Sequence, residues 1–120
     1  MTAATPIAIV AELSIESLLW RRANRLVLVA IELDRIGEPN AAQVVRWSSE
    51  VMRKQCPDRM GALVRLALAQ VRAYRTFLEA FPKGPEADDA RAAVDALSAT
   101  TLYLRAARAA VWRATRAAKL

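Results

Sequence analysis

Residues 85–120 decide the fold, and they read PEADDARAAVDALSATTLYLRAARAAVWRATRAAKL. After Pro85 the stretch contains no glycine and no further proline, so nothing in it interrupts a helix. Pro85 suits the first helical position, where a missing N–H costs nothing. Glu86, Asp88 and Asp89 follow in the first turns, where the helix dipole favours acids. The stretch therefore predicts one long C-terminal helix.

The turn signals before this helix divide the remaining chain into three more helices. Gly37-Glu38-Pro39, Cys56-Pro57 and the segment 82–85 are the breaks, which predicts helices over about 6–36, 40–55 and 59–81. Asn40 and Asp58 are the expected N-caps of the second and third helices. The sequence thus predicts an all-α fold, an antiparallel bundle of about four helices with a long C-terminal helix, in a single domain over residues 1–120.

Apolar residues at helical spacing predict which faces form the core. The predicted core positions are Ile15, Leu19, Arg22, Leu26, Val29, Leu33, Ile36, Val44, Trp47, Val51, Met52, Met60, Val64, Ala67, Val71, Tyr74, Leu78, Phe81, Val94, Leu97, Leu104 and Val111. Helix 1 carries a second apolar stripe, of which Trp20, Val27 and Ile31 are the part that a four-helix core need not bury. We expect that part to contact another subunit or a second copy, with a central place in the bundle as the alternative.

Positive charge is concentrated at the end of the printed sequence. The net charge is +6, and residues 101–120 hold five basic side chains and no acidic one. Four of the five, together with one indole, fall within an arc of roughly 80° on a helix. The candidate nucleic-acid-binding residues are Arg105, Arg108, Trp112, Arg113, Arg116 and Lys119.

This basic stripe has several interpretations. Arginine forms forked contacts with phosphate, and regularly spaced arginines with an aromatic suit sequence-independent contact with RNA or single-stranded DNA. The alternatives are compensation of the helix dipole in a solvated face, an acidic protein partner, or a membrane surface. Bases in the last turn alone would satisfy the dipole, whereas these begin four turns earlier.

The residues that are missing exclude most catalytic chemistry. The chain has no histidine, which removes catalytic triads and histidine-ligated metals, and its three glycines are isolated and form no phosphate loop. The single cysteine, Cys56, allows no internal disulfide and fits a reducing compartment. We expect a non-enzymatic, cytoplasmic protein with no cofactor, no metal, no secretory signal and no membrane span.

The segment Leu102-Tyr103-Leu104-Arg105-Ala106-Ala107-Arg108, with Trp112 following, resembles the last helix of the small helical subunits of CRISPR effector ribonucleoproteins. It departs from that family in lacking a glutamate after the arginine. The resemblance implies a compact, basic, all-α subunit of antiviral defence that lies along an RNA–DNA channel without catalysing a reaction. It also implies copies stacked along a filament, with Arg105 and Arg108 on the nucleic-acid backbone. The alternative function is a structural or dimerisation protein whose basic helix only solvates it or binds an acidic partner.

Overall fold

Four α-helices make up the fold in a computed structural model that describes the backbone of residues 4–119 and the side chains of residues 17–118. The helices are α1 (Ala4–Arg35), α2 (Pro39–Lys54), α3 (Pro57–Ala80) and α4 (Pro85–Lys119). Each helix runs antiparallel to the next, as two contacts between α1 and α2 illustrate: Ser49 lies beside Ala23, and Arg46 pairs with Asp34. The predicted all-α bundle with a long last helix is confirmed.

The helix ends follow glycine and proline, as expected. Gly37 adopts a left-handed φ of 83° and closes α1: its N–H donates to the carbonyl of Asp34, and the N–H of Glu38 donates to that of Leu33. These two bonds form a Schellman motif. The end of α2 has the same pattern without glycine, since Gln55 has a φ of 53°.

Both N-cap predictions were wrong. Proline begins α2 and α3 at their first positions, which makes Glu38 and Cys56 the N-caps, and neither forms a side-chain capping hydrogen bond. Asn40 and Asp58 therefore lie inside the first turns. The fixed φ of proline starts each helix at proline itself.

The core combines large side chains with alanines that let the helices approach closely. Its largest fully buried apolar residues are Leu26, Leu33, Met52, Met60, Leu97 and Leu104. Trp47 and Phe81 were predicted to be buried, but they are 44% and 61% exposed. Trp47 lies at the border of the buried face of α2, and Phe81 follows the last residue of α3. Ile15 lies outside the described side chains.

The unequal lengths of the helices shape the molecule. At 1.5 Å per residue, α1 and α4 are about 48 and 52 Å long, and α2 is about 24 Å long. The molecule accordingly measures 61 × 28 × 18 Å. The long helices run on together past the α2–α3 turn, so the last turns of α4 lie beside residues 18–22 of α1. In the part of the chain that the structure describes, no helix is long and apolar enough to cross a membrane.

Candidate nucleic-acid interface

The last five turns of α4 present three fully accessible arginines. Arg105, Arg113 and Arg116 are exposed, and they project from a continuous helix in which the side chains between them are mostly alanines. Arg105 and Arg116 are about 17 Å apart along the helix axis. This length matches about five phosphates along one strand of a duplex. Lys119 belongs to α4, but its side chain lies outside the described residues.

Arg108 differs from these three because it is packed against α3. Its guanidinium carbon lies 4.1 Å from the centroid of the Trp112 ring. The opposite neighbour is Gly61, where an added Cβ would lie 3.2–3.3 Å from the guanidinium atoms. The Arg108 Nε is buried and has no hydrogen-bond partner among the described residues. Arg108 therefore bridges α3 and Trp112, and Trp112 itself stays 45% exposed.

Three arginines of α1 adjoin the other edge of α4 through Tyr103. The guanidinium of Arg22 lies over the Tyr103 ring, 5.1 Å from its centroid. The Nη1 of Arg25 donates a hydrogen bond of 3.2 Å to the Tyr103 hydroxyl oxygen, and this bond raises the pKa of Arg25 above its ordinary value. Arg21 lines a cavity together with Arg22, Arg25 and Tyr103. Tyr103 therefore fixes two guanidiniums from a different helix.

Sequence reasoning missed these α1 residues as part of the site. Arg22 was placed in the apolar seam of helix 1, and the structure shows it half-buried at the α1–α4 contact. The available signal was the spacing Arg21-Arg22-x-x-Arg25, which puts a pair of charges beside an otherwise apolar seam. A charged residue at such a seam position indicates either a partner or a site.

A groove runs between α1 and α4 beneath these arginines. It consists of two adjoining cavities of about 440 Å³ each, which share Leu18 and Arg22. One is walled mainly by alanine methyls of α4, and the other by the α1 arginines and Tyr103. The lining residues of the α1–α4 groove are Leu18, Leu19, Arg21, Arg22, Arg25, Tyr103, Ala106, Ala107, Ala110, Arg113, Ala114 and Ala117. None of these described lining residues is acidic.

Together the two helices form one arginine surface. Around the circumference of α4, Arg108 lies at the edge next to α3 and Tyr103 at the edge next to α1, with the three exposed arginines between them. The whole arc is roughly 220°. From residue 101 onward α4 carries no acid. The arginine surface comprises Arg21, Arg22, Arg25, Arg105, Arg108, Arg113 and Arg116.

The ion pairs of the molecule lie elsewhere. Among the described side chains the paired bases are Arg35, Arg46, Lys54 and Arg91, with Glu32, Asp34, Glu50 and Asp88 as their respective partners. No arginine of the arginine surface pairs with a described carboxylate. Like charges without described carboxylate partners repel one another, so this surface favours the binding of an anion.

The opposite end of the bundle has a different character. A cavity of about 530 Å³ there is lined by Glu38, Gln70, Tyr74, Phe77 and Glu86, among others, and by no basic residue. It is larger than either cavity of the groove, but its two carboxylates disfavour an anion. This acid-lined cavity and the arginine surface therefore lie at opposite ends of the bundle.

The predicted partner interface is accessible in part. Trp20 and Ile31 are 55% and 57% exposed, whereas Val27 is half-buried. The guanidinium of Arg53 lies over the Trp20 ring at 5.0 Å from its centroid, and it also donates to the side-chain oxygen of Asn24. This part of α1 therefore shows apolar surface to solvent.

No group of three or more potential metal-binding side chains occurs among the described residues. Comparisons with protein-family models, curated proteins and solved structures gave no match. The geometry and charge of the chain itself are therefore what bears on function.

Proposed function

We propose that this protein is a non-catalytic nucleic-acid-binding subunit whose arginine surface holds the phosphate backbone of RNA or single-stranded DNA. The observation that carries the proposal is the charge distribution: seven arginines share one surface, and none pairs with a described carboxylate. Arginine forks match phosphate oxygens, and each neutralised phosphate releases counterions.

The residues divide into two roles under this proposal. Arg105, Arg113 and Arg116 contact phosphates directly, because their side chains are exposed, and Lys119 is given the same role from its position on α4. Arg108 holds Trp112 in place against α3, and the exposed part of Trp112 is left for contact with a base or sugar. The preference for particular base sequences is slight, since the arginines contact phosphates, which are the same in every sequence.

The setting in the cell is part of the same proposal. A small bundle without histidine, and with no cofactor or metal expected, suits a structural place in a larger assembly. The resemblance noted above favours a cytoplasmic ribonucleoprotein such as a CRISPR effector complex, with other protein subunits as partners.

Fluorescence anisotropy with labelled single-stranded RNA, single-stranded DNA and duplex tests the proposal. At 50 mM salt the variant Arg105→Glu/Arg113→Glu/Arg116→Glu should bind at least tenfold more weakly than wild type. A matched control reverses the same amount of charge at three arginines that already pair with carboxylates: Arg35→Glu/Arg46→Glu/Arg91→Glu. The control should bind within about threefold of wild type, since its three arginines lie outside the arginine surface; circular dichroism first confirms that it is folded, because each new glutamate lies beside a carboxylate. If wild type binds none of the three probes, the proposal is wrong.

A second candidate is a structural or dimerisation protein, favoured by the exposure of Trp20 and Ile31 on α1. Apolar side chains on the surface of a small domain often mark an interface. In that case the basic end of α4 keeps the assembly soluble or binds an acidic protein partner.

A further inference from the structure

We propose that the α1–α4 groove takes an unpaired nucleobase, which makes a single strand the preferred ligand of the arginine surface. The inference rests on the proposed function, and it adds a substrate class and a second kind of contact to it. Three features of the groove support it: its lining, its size, and the way that its charges are held at the rim.

The lining combines an apolar floor with charged rims. The floor is formed by Leu18, Leu19 and the methyl groups of α4 alanines. Arg22 on α1 and Arg113 on α4 line the same cavity from its two sides. The flat apolar face of a nucleobase can be buried against such a floor, and the phosphates on either side of it can pair with the guanidiniums. A nucleotide within a strand has this arrangement, since its base lies between a phosphate on its 5′ side and a phosphate on its 3′ side.

The size of the groove agrees with this occupant. Its alanine-lined part encloses about 440 Å³, within the range of 300–1,000 Å³ that is usual for small-molecule sites. Because the wall consists of alanines, the space is not filled by the bundle's own described side chains. Leu and Phe at the same positions would close it.

The charges at the rim are held in position before any ligand binds. Tyr103 accepts a hydrogen bond from Arg25 and stacks beneath Arg22. Both guanidiniums therefore lose part of their freedom in the unbound protein, which reduces the entropic cost of binding. The ring of Tyr103 is occupied by Arg22, so Tyr103 positions the arginines and does not stack on a base itself.

A duplex cannot use this site. Its bases are paired and stacked inside the helix, and only phosphates and groove edges face a protein. A duplex would contact the exposed arginines and leave the groove empty. An unpaired strand can turn a base into the groove, where burying roughly 50–100 Å² of apolar base surface strengthens binding by about 8- to 70-fold.

The test uses two kinds of change: a protein variant in which a larger side chain fills the groove, and a strand that lacks its bases. Ala114→Leu places a bulky aliphatic side chain in the groove at a position that is exposed, so the core is not disturbed. Ala118→Leu makes the same change one turn later at an exposed residue that does not line the groove. The probes are a labelled 12-residue thymidine strand, the same strand with abasic sugars, and a 12-base-pair duplex, all in 50 mM salt.

For wild type we expect the abasic strand to bind about tenfold more weakly than the thymidine strand, although its phosphates are the same. Ala114→Leu should bind both strands equally and leave the duplex affinity within twofold of wild type. Ala118→Leu should behave as wild type on every probe.

Three results would overturn the inference: equal binding of the abasic and thymidine strands by wild type, preserved discrimination in Ala114→Leu, or equal loss of discrimination in both leucine variants. Each of them leaves backbone binding intact. Absence of binding to every probe would instead remove the proposed function and the inference together.

Discussion

Arg108 shows how the neighbours of a side chain decide its role. In the sequence it belongs to a stripe of five similar positions, but in the structure it lies between Gly61 and the Trp112 ring. The helical spacing that aligned Arg108 with Arg105 was correct. The sequence could not show that α3 brings a glycine to that point, because the contact depends on tertiary packing across 47 residues of chain.

This packing predicts unequal effects of two alanine substitutions. Arg108→Ala should lower the free energy of unfolding by about 1 kcal/mol, because it removes a cation–π contact and the packing of the arginine stem. Arg105→Ala removes an exposed side chain and should change it by less than about 0.5 kcal/mol. Urea unfolding followed by circular dichroism measures both values. Equal effects of the two changes would show that Arg108 is as free as Arg105.

Gln55 carries strain that glycine would relieve. Its φ of 53° is left-handed, and the two backbone bonds that close α2 require this conformation. Gln55→Gly should raise the free energy of unfolding by about 0.5–1 kcal/mol. Glycine removes the cost of the left-handed conformation, and the entropy that it adds to the unfolded chain offsets part of this gain. Gln55→Ala is the control, since alanine keeps the strain. Thermal unfolding compares the two variants. If Gln55→Gly is no more stable than Gln55→Ala, the interpretation is contradicted.

At the scale of the helices, the sequence was informative about where they break and less so about which faces meet. Glycine and proline placed every turn, because both act through the local backbone. Trp47 was assigned to the core because periodicity gives the direction of an apolar face but does not show how much of that face the neighbouring helices cover. The arginines of α4 were identified because they cluster in sequence. Arg25 was not, because its partner Tyr103 is 78 residues away.

The contact between α3 and the α1–α2 turn predicts a loss of stability in alkali. The Tyr74 hydroxyl donates a 2.6 Å hydrogen bond to Glu38, and burial, followed by this bond, raises the pKa of Tyr74 far above its ordinary value. Above pH about 10 the unfolded chain releases this proton while the folded chain retains it. Stability is therefore full below pH 10 and falls as the pH rises beyond it.

Thermal unfolding of wild type and Tyr74→Phe from pH 8 to 11.5 measures this effect. The variant should be less stable at pH 8, because it lacks the hydrogen bond, and should lose less stability than wild type in alkali. Parallel decline of both proteins would show that other groups account for the alkaline loss.

At the scale of the whole molecule, the apolar part of α1 predicts self-association at high concentration. Ile31→Glu places a charge at a residue that is 57% exposed, so the fold should survive while an interface would not. Leu102→Glu makes the same change at an exposed leucine on α4 and should leave association unchanged. Sedimentation velocity compares the three proteins. A wild type that stays monomeric at the highest concentration would remove the second candidate function in its dimeric form.

The arginine surface, in which no arginine pairs with a described carboxylate, is the feature from which the proposed function follows, and the salt dependence of binding tests it most directly. Three to four phosphate contacts from Arg105, Arg113, Arg116 and Lys119 should weaken the binding of single-stranded RNA by roughly 20- to 150-fold between 50 and 200 mM salt. In the Arg105→Glu/Arg113→Glu/Arg116→Glu variant, confirmed to be helical, the slope of log affinity against log salt should fall by about 2–3. Wild-type binding that does not respond to salt, or a variant with an unchanged slope, would contradict the assignment of these arginines to the nucleic-acid backbone.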